Sequence, residues 1–177
     1  MAATDQLHRE DGRHRTDPVR RAAVHRHVLG HVPTGVVVVG AVDHDGPAGM
    51  LIGSFTSVSL DPQLVGFFPA RTSTTWPRLR QAGRLCFNVL ADDQGWIGDA
   101  FARTDGPKFD AVDWAPTAAG TPRLDGVAAW IDSTLYSETT AGDHWLVLAE
   151  VVDLGVDADR RPLVFCRGSY GGLASDR

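Results

Sequence analysis

Between Gly49 and Pro62 the chain reads Gly-Met-Leu-Ile-Gly-Ser-Phe-Thr-Ser-Val-Ser-Leu-Asp-Pro, and an apolar run from Leu64 to Phe68 follows. Small hydroxyl residues alternate with apolar ones until Asp61-Pro62 ends the pattern. A period of two puts successive side chains on opposite faces of a sheet, so the stretch reads as strand. Thr56 then points away from Ser57 and Ser59. The backbone offers hydrogen bonds along its length, and Gly49 and Gly53 would let another molecule approach it closely. Such a surface suits a flat, polar-edged ring system carrying a phosphate tail. It suits equally an ordinary strand pair with serine and threonine on its wet face.

The rest of the chain extends the strand reading. Thr34 to Val42 contains four consecutive valines and reads as one buried strand, with a hairpin turn at Asp43-His44-Asp45-Gly46. Further strands are expected over 49–60, 64–68, 85–90, and near 126–137, 144–154 and 162–166, with a Pro/Gly-rich loop at 115–122. Three short helices interrupt them. One covers about 18–30 and closes at Gly30. One covers Thr74–Gln81, with Pro77 in its first turn and Gly83 as its stop. The third runs from a cap at Asp92-Asp93-Gln94 to about Arg103, weakened by Gly95 and Gly98. Strands dominate at spacings of about ten residues, so the fold is expected to be mainly β, a small barrel rather than a doubly wound sheet.

At 177 residues and 43% apolar content the chain can bury one real core. The expected organisation is a flexible, charged arm over 1–20, one folded domain over 21–173 and a short tail over 174–177. Lysine and arginine total 17 against 22 acidic residues, a net charge of −5, which argues against a nucleic-acid surface. Any bound phosphate must then be held by local donors rather than by the overall field. No apolar run approaches the roughly 18 residues needed to span a bilayer, and the N-terminal stretch lacks an apolar signal core, so no membrane role and a cytoplasmic location are expected. Cys86 and Cys166, both in apolar strand-like runs, read as buried free thiols. Five of the seven histidines lie between His8 and His31, but no cysteine or carboxylate completes a ligand set there, so no metal site is expected. The glycine-rich dinucleotide fingerprint, the phosphate loop, the zinc-protease pair and the serine nucleophile elbow are all missing from the sequence.

Six pieces, in order, carry a resemblance: Val32-Pro33-Thr34-Gly35-Val36, the Gly49–Pro62 segment, Phe87-Asn88-Val89-Leu90, Lys108-Phe109, Gly142-Asp143-His144 and Arg167-Gly168-Ser169-Tyr170. Together the chain resembles the flavin reductase-like family over about residues 21–173. The resemblance implies an FMN-binding type of split β-barrel with Greek-key-like connections, and a homodimer with flavin near the subunit interface. It also implies reduction of FMN or FAD by NADH or NADPH, often for a partner monooxygenase.

The resemblance assigns roles residue by residue. The backbone of Met50, Leu51, Ile52, Gly53 and Ser54, with Phe55, would lie along the flavin ring edge, whose N3–H, O2 and O4 need coplanar partners. Ser57 and Thr72-Ser73-Thr74-Thr75 match positions that hold ribityl and phosphate groups, although such hydroxyls also suit a plain helix cap. Arg71 and Arg78 are cations near that cluster, and Lys108-Phe109 matches a basic-aromatic pair of the flavin site. His144 would stand beside the nicotinamide, and Tyr170 would wall the nicotinamide or the flavin. Many relatives carry Thr and Asn where this chain has Leu51 and Gly53, so only backbone contacts remain there. Two rival readings stay open at this point. One is a flavin-binding oxidoreductase or carrier with no flavin reductase activity of its own; the other is a non-catalytic barrel.

Overall fold

The computed structural model describes residues 17–103 and 106–173. The arm expected over 1–20 falls outside the described residues as far as Thr16, as does the tail over 174–177. Helix α1 (Pro18–Leu29) follows directly, capped by the Asp17 carboxylate, which accepts from the Val19 N–H at 2.9 Å. It ends at Gly30 as expected and contains no buried residue.

Twelve strands and two further helices follow among the described residues. They are β1 (Thr34–Gly35), β2 (Val37–Asp43), β3 (Gly46–Ile52), β4 (Thr56–Leu60), β5 (Gln63–Phe67), α2 (Trp76–Ala82), β6 (Arg84–Val89) and α3 (Gly95–Ala102). After a 3-10 turn at Lys108–Ala111 come β7 (Trp114–Pro116), β8 (Pro122–Leu124), β9 (Ala129–Ala141), β10 (His144–Val156), β11 (Leu163–Cys166) and β12 (Ser169–Gly172). The fold is mainly β, with every strand pairing antiparallel.

The main sheet has seven strands in the order β3-β2-β6-β9-β10-β5-β4. Its two edge strands are consecutive in the chain, because β3 ends at Ile52 and β4 begins at Thr56. Six strand spacings of about 4.8 Å would hold flat edges roughly 29 Å apart. Four Cα steps reach at most about 15 Å. The sheet therefore curls until its edges approach each other, and the link Gly53-Ser54-Phe55 crosses the gap.

Curling explains the valine run. Val37, Val39 and Ala41 face the inside of the curl with Phe67, Phe87 and the Trp76 and Leu79 side chains of α2. Val36 and Val38 face the other way, onto Ile97 and Phe101 of α3, with Phe109 and Leu163. A strand buried on both faces has no polar alternation to keep. The single strand expected over 34–42 is nevertheless broken at Val36. There the Val36 N–H donates to the Leu163 carbonyl and its own carbonyl accepts from Leu90 N–H, so β1 leaves the main sheet and pairs with β11. The β1-β11-β12 sheet stands beside the open edge of β3.

The loop expected at 115–122 is the turn of a short β7–β8 hairpin. Asn88 pins it. This fully buried side chain donates to the carbonyls of Val38 and Pro122 and accepts from Leu124 N–H at 2.8 Å. Cys86 and Cys166 are free thiols. Burial, with Asp132 nearby, pushes the Cys86 thiol up to about 12. Cys166 is only half-buried, which corrects the expectation of two buried thiols. No helix among the described residues is long and apolar enough to cross a membrane.

Candidate functional site: a cleft at the open edge of β3

Where the end of β3 meets the small sheet, a cleft of about 790 Å³ opens. Thr34, Gly35 and Val36 form one side, and Leu51, Ile52 and Gly53 form the floor. Asp99 and Ala102 of α3, with Phe165, Ser169 and Tyr170, close it. Because β3 pairs only with β2, the backbone groups on its outer edge have no strand partner. A planar ligand with donors and acceptors on its rim finds a matching row there.

Tyr170 is held from two sides. Its ring meets Phe165 with centroids 5.4 Å apart, and it lies against α3 at Gly95 and Gly98. A methyl group on Gly98 would come within 2.9 Å of Tyr170 Cζ, so the residue that weakens this helix is the one that lets the ring pack. Burial and the neighbouring Asp99 carboxylate raise the Tyr170 hydroxyl above its ordinary value, so it stays protonated. The turn before it, Arg167-Gly168, has positive φ at both residues (53° and 81°), which matches a tight two-residue hairpin.

The expected site residues fall in different places. Leu51, Ile52, Gly53 and Tyr170 line the cleft. Met50 and Phe55 do not; both pack against the core, Phe55 on Phe87 with centroids 4.9 Å apart. Thr75, Arg78, Lys108 and Phe109 border a separate recess of about 350 Å³ beyond Gly49. Ser73 Oγ lies 3.9 Å from Met50 Sδ. His144 stands beside this loop, because Ala70 bridges to His144 and Arg71 N–H donates to the Asp143 carbonyl. Gly142, with φ 65°, makes the tight turn that starts β10 at His144. The half-exposed imidazole is 2.7 Å from Asp143 Oδ1, and that contact holds the Asp143 carboxyl below its usual range. Thr72, Thr74 and Ser57 are half or wholly exposed, with Ser57 beside a bulge in β4.

Several assignments need correction. Gly49 does not open its backbone to a ligand, because this chain fills the space beside it, whereas Gly53 lines the cleft. A Cβ on Gly49 would be 2.9 Å from the Phe101 ring, and one on Gly53 would be 2.9 Å from Thr34 Oγ1. Phe109 is a buried core residue, T-stacked on Phe101 and Trp114. Arg78 is taken by Asp43, to which it donates twice at 2.7 and 2.8 Å. Lys108 donates to the Phe101 carbonyl at 3.0 Å, and burial lowers its basicity. Ser73 caps α2 by accepting from Trp76 N–H, and Ser54 accepts from Phe68 N–H. Arg71 lies 5.6 Å over the Trp145 ring. Asp99 and Phe165 were not foreseen, since neither belongs to a local motif; Thr34-Gly35 was visible as a matching piece but not as a cleft wall.

The flavin reductase like domain model matches residues 29–174, so the chain belongs to the flavin reductase-like family. It is 48% identical to a flavin reductase of Pseudomonas putida over 151 residues, covering 85% of this chain and 89% of that protein. It is 39% identical to HsaB of Rhodococcus jostii, the reductase subunit of a flavin-dependent monooxygenase, covering 86% of this chain and 78% of that protein. Among solved structures, the NADH:FAD oxidoreductase SgcE6 of Streptomyces globisporus, in complex with NAD and FAD fragments, superposes with a TM-score of 0.84 at 32% identity, covering 90% of this chain and 96% of that one.

Proposed function

We propose that the protein is an NAD(P)H:flavin oxidoreductase that reduces FMN or FAD with NADH or NADPH and supplies the reduced flavin to a partner monooxygenase. The observation that carries this reading is the unpaired edge of β3 running into a cleft walled by Tyr170 and Phe165. Unpaired backbone and aromatic walls fit the polar rim and flat faces of an isoalloxazine. Bound flavin supplies the hydride chemistry. The chain's own residues bind, orient and exclude water: the Leu51–Gly53 backbone meets the ring edge, and Tyr170 covers one side. The exposed hydroxyls of Thr72 and Thr74 serve a phosphate tail, and His144 holds the nicotinamide by a hydrogen bond from the next loop. Among the described residues no cysteine lines the cleft, and no covalent protein intermediate is invoked.

In this reading the folded unit spans 21–173, with an arm over 1–20 and a tail over 174–177, and the curled sheet forms a split β-barrel with Greek-key-like order. The unit pairs as a homodimer. Beyond Glu150, β10 pairs only with β9, and its Val152, Leu154 and Val156 are 61%, 58% and 78% exposed, an apolar strip that a second copy would cover. Free thiols support a reducing compartment, the cytoplasm.

Anaerobic stopped-flow absorbance tests the activity. Protein-dependent bleaching of FMN or FAD by NADH or NADPH is expected. Flavin that binds but stays oxidised with both nicotinamides would reject the reductase in favour of a flavoprotein acting elsewhere.

A further inference from the structure

Of the residues that close the cleft, Asp99 is the only one with a charge, and none of the roles assigned above uses it. It follows Gly98, the residue against which the Tyr170 hydroxyl packs, and it lines the cleft with Tyr170, Ser169 and the Leu51–Gly53 floor. Burial first, and then the Asp99 charge, raise the Tyr170 hydroxyl. That coupling places the carboxylate beside the aromatic wall.

The charge of Asp99 is unanswered. Among the described residues no lysine, arginine or histidine lines the cleft, and no ion pair involves Asp99. It falls in the last turn of α3 (Gly95–Ala102), where the helix dipole disfavours negative charge, and that turn holds no basic residue. The net charge of −5 on the whole chain adds to the same field. Fold stability therefore gives no reason for a carboxylate here.

A wall with one uncompensated negative charge sorts ligands by charge. Two-electron reduction by a hydride turns a neutral flavin ring into an anion near neutral pH. The added charge spreads over the same pyrimidine end that carries the polar rim. We propose that Asp99 is a charge-selecting residue of the cleft, which weakens its hold on reduced flavin relative to oxidised flavin and so favours release of the reduced form to an acceptor enzyme. The proposal rests on the flavin reductase reading for the ligand in the cleft, and it adds what makes the product leave.

Asp99→Asn removes the charge and keeps the shape, and Asp99→Ser repeats the test with another shape. Asp99 is exposed, so neither variant opens the core. Glu150→Gln removes one charge from β10, outside the cleft lining, and controls for net charge. Dissociation constants of oxidised and dithionite-reduced FMN and FAD are measured without oxygen for each protein. The midpoint potential of the bound flavin is read by equilibration with a reference dye. In both Asp99 variants the ratio of the reduced to the oxidised constant is expected to fall about fivefold. At 29.6 mV per tenfold for a two-electron couple, this is a rise of about 20 mV in potential. Glu150→Gln is expected to match wild type. An unchanged ratio and potential in the Asp99 variants overturn the proposal, as does a shift that Glu150→Gln reproduces. An equal change in both redox states is a contact effect blind to charge, and it also overturns the proposal. These constants need no nicotinamide. The fivefold shift in a protein whose flavin neither NADH nor NADPH bleaches would reject the reductase and keep Asp99 as a charge-selecting residue. Wild type that binds neither redox state overturns both.

Discussion

At Ser73 two demands compete for one hydroxyl. As an acceptor for Trp76 N–H it caps α2, and its proton is turned toward Met50 Sδ, so little remains for a ligand. The neighbouring Thr72 and Thr74 have no such duty. His144 differs again: Asp143 steadies it from the side while half of its surface stays open. His144→Ala is expected to raise the KM for the nicotinamide about tenfold and to lower kcat less than threefold, as steady-state kinetics at saturating flavin would read. An unchanged KM would remove His144 from the nicotinamide site. Arg78 supplies a pH prediction. Asp43, nearly buried beneath its guanidinium, has its carboxyl lowered from 3.8 to about 2, chiefly by the hydrogen bonds from Arg78. The folded value lies below the unfolded one, so this pair stabilises the fold above pH 4, and the contribution is lost as pH falls from about 4 to 2. Urea midpoints of wild type should fall more steeply across that interval than those of Arg78→Gln. The same variant should keep its flavin Kd within twofold, since the guanidinium is already committed to Asp43.

Helix α3 shows how an element can be read correctly and explained wrongly. Gly95 and Gly98 weaken it by propensity, and the helix forms regardless, over Gly95–Ala102. The reason lies seventy residues downstream, where Tyr170 needs the room that two missing side chains leave. Gly98→Ala would gain roughly 1 kcal/mol in helix propensity and lose about 1–3 kcal/mol to overpacking. The expected net effect is a destabilisation of about 1 kcal/mol, a Tm drop of roughly 2–4 °C by calorimetry. Tyr170 would also be displaced, so the flavin Kd should rise. A more stable Gly98→Ala with unchanged flavin binding would show that Tyr170 is not a wall of the site. The hairpins tell the opposite story. Asp43–Gly46, Gly142-Asp143 and Arg167-Gly168 are tight turns in which a glycine takes positive φ, and composition alone marks the first of them.

For the molecule as a whole, the exposed apolar strip of β10 sets the assembly prediction. Leu154→Lys places a charge in the middle of that strip, and sedimentation velocity should then report a monomer where wild type sediments as a dimer. A monomeric wild type would reject the homodimer outright. Strands, helices and turns were legible because they answer to short-range causes. Four valines favour extended backbone wherever they lie, and Pro77 and Gly83 start and stop α2 by their own φ preferences. The order of the cleft segments along the chain was legible too, through the resemblance of six short pieces. The break at Val36, the curl that brings β3 and β4 together and the β7–β8 hairpin could not be read that way. The break arises from pairing with Leu163 and Leu90, the hairpin from Asn88, and the curl from where the two edge strands fall in the sheet order, all of which depend on how the sheet closes. The same holds for chemistry. Arg78 looked like a free cation until Asp43, thirty-five positions earlier, took it, and Gly49 looked open until Phe101 filled the space beside it. Local pattern sets which backbone shapes are cheap. Which side chains remain unpaired, and therefore able to bind anything, is settled only when distant segments pack and compete for the same hydrogen bonds and the same space.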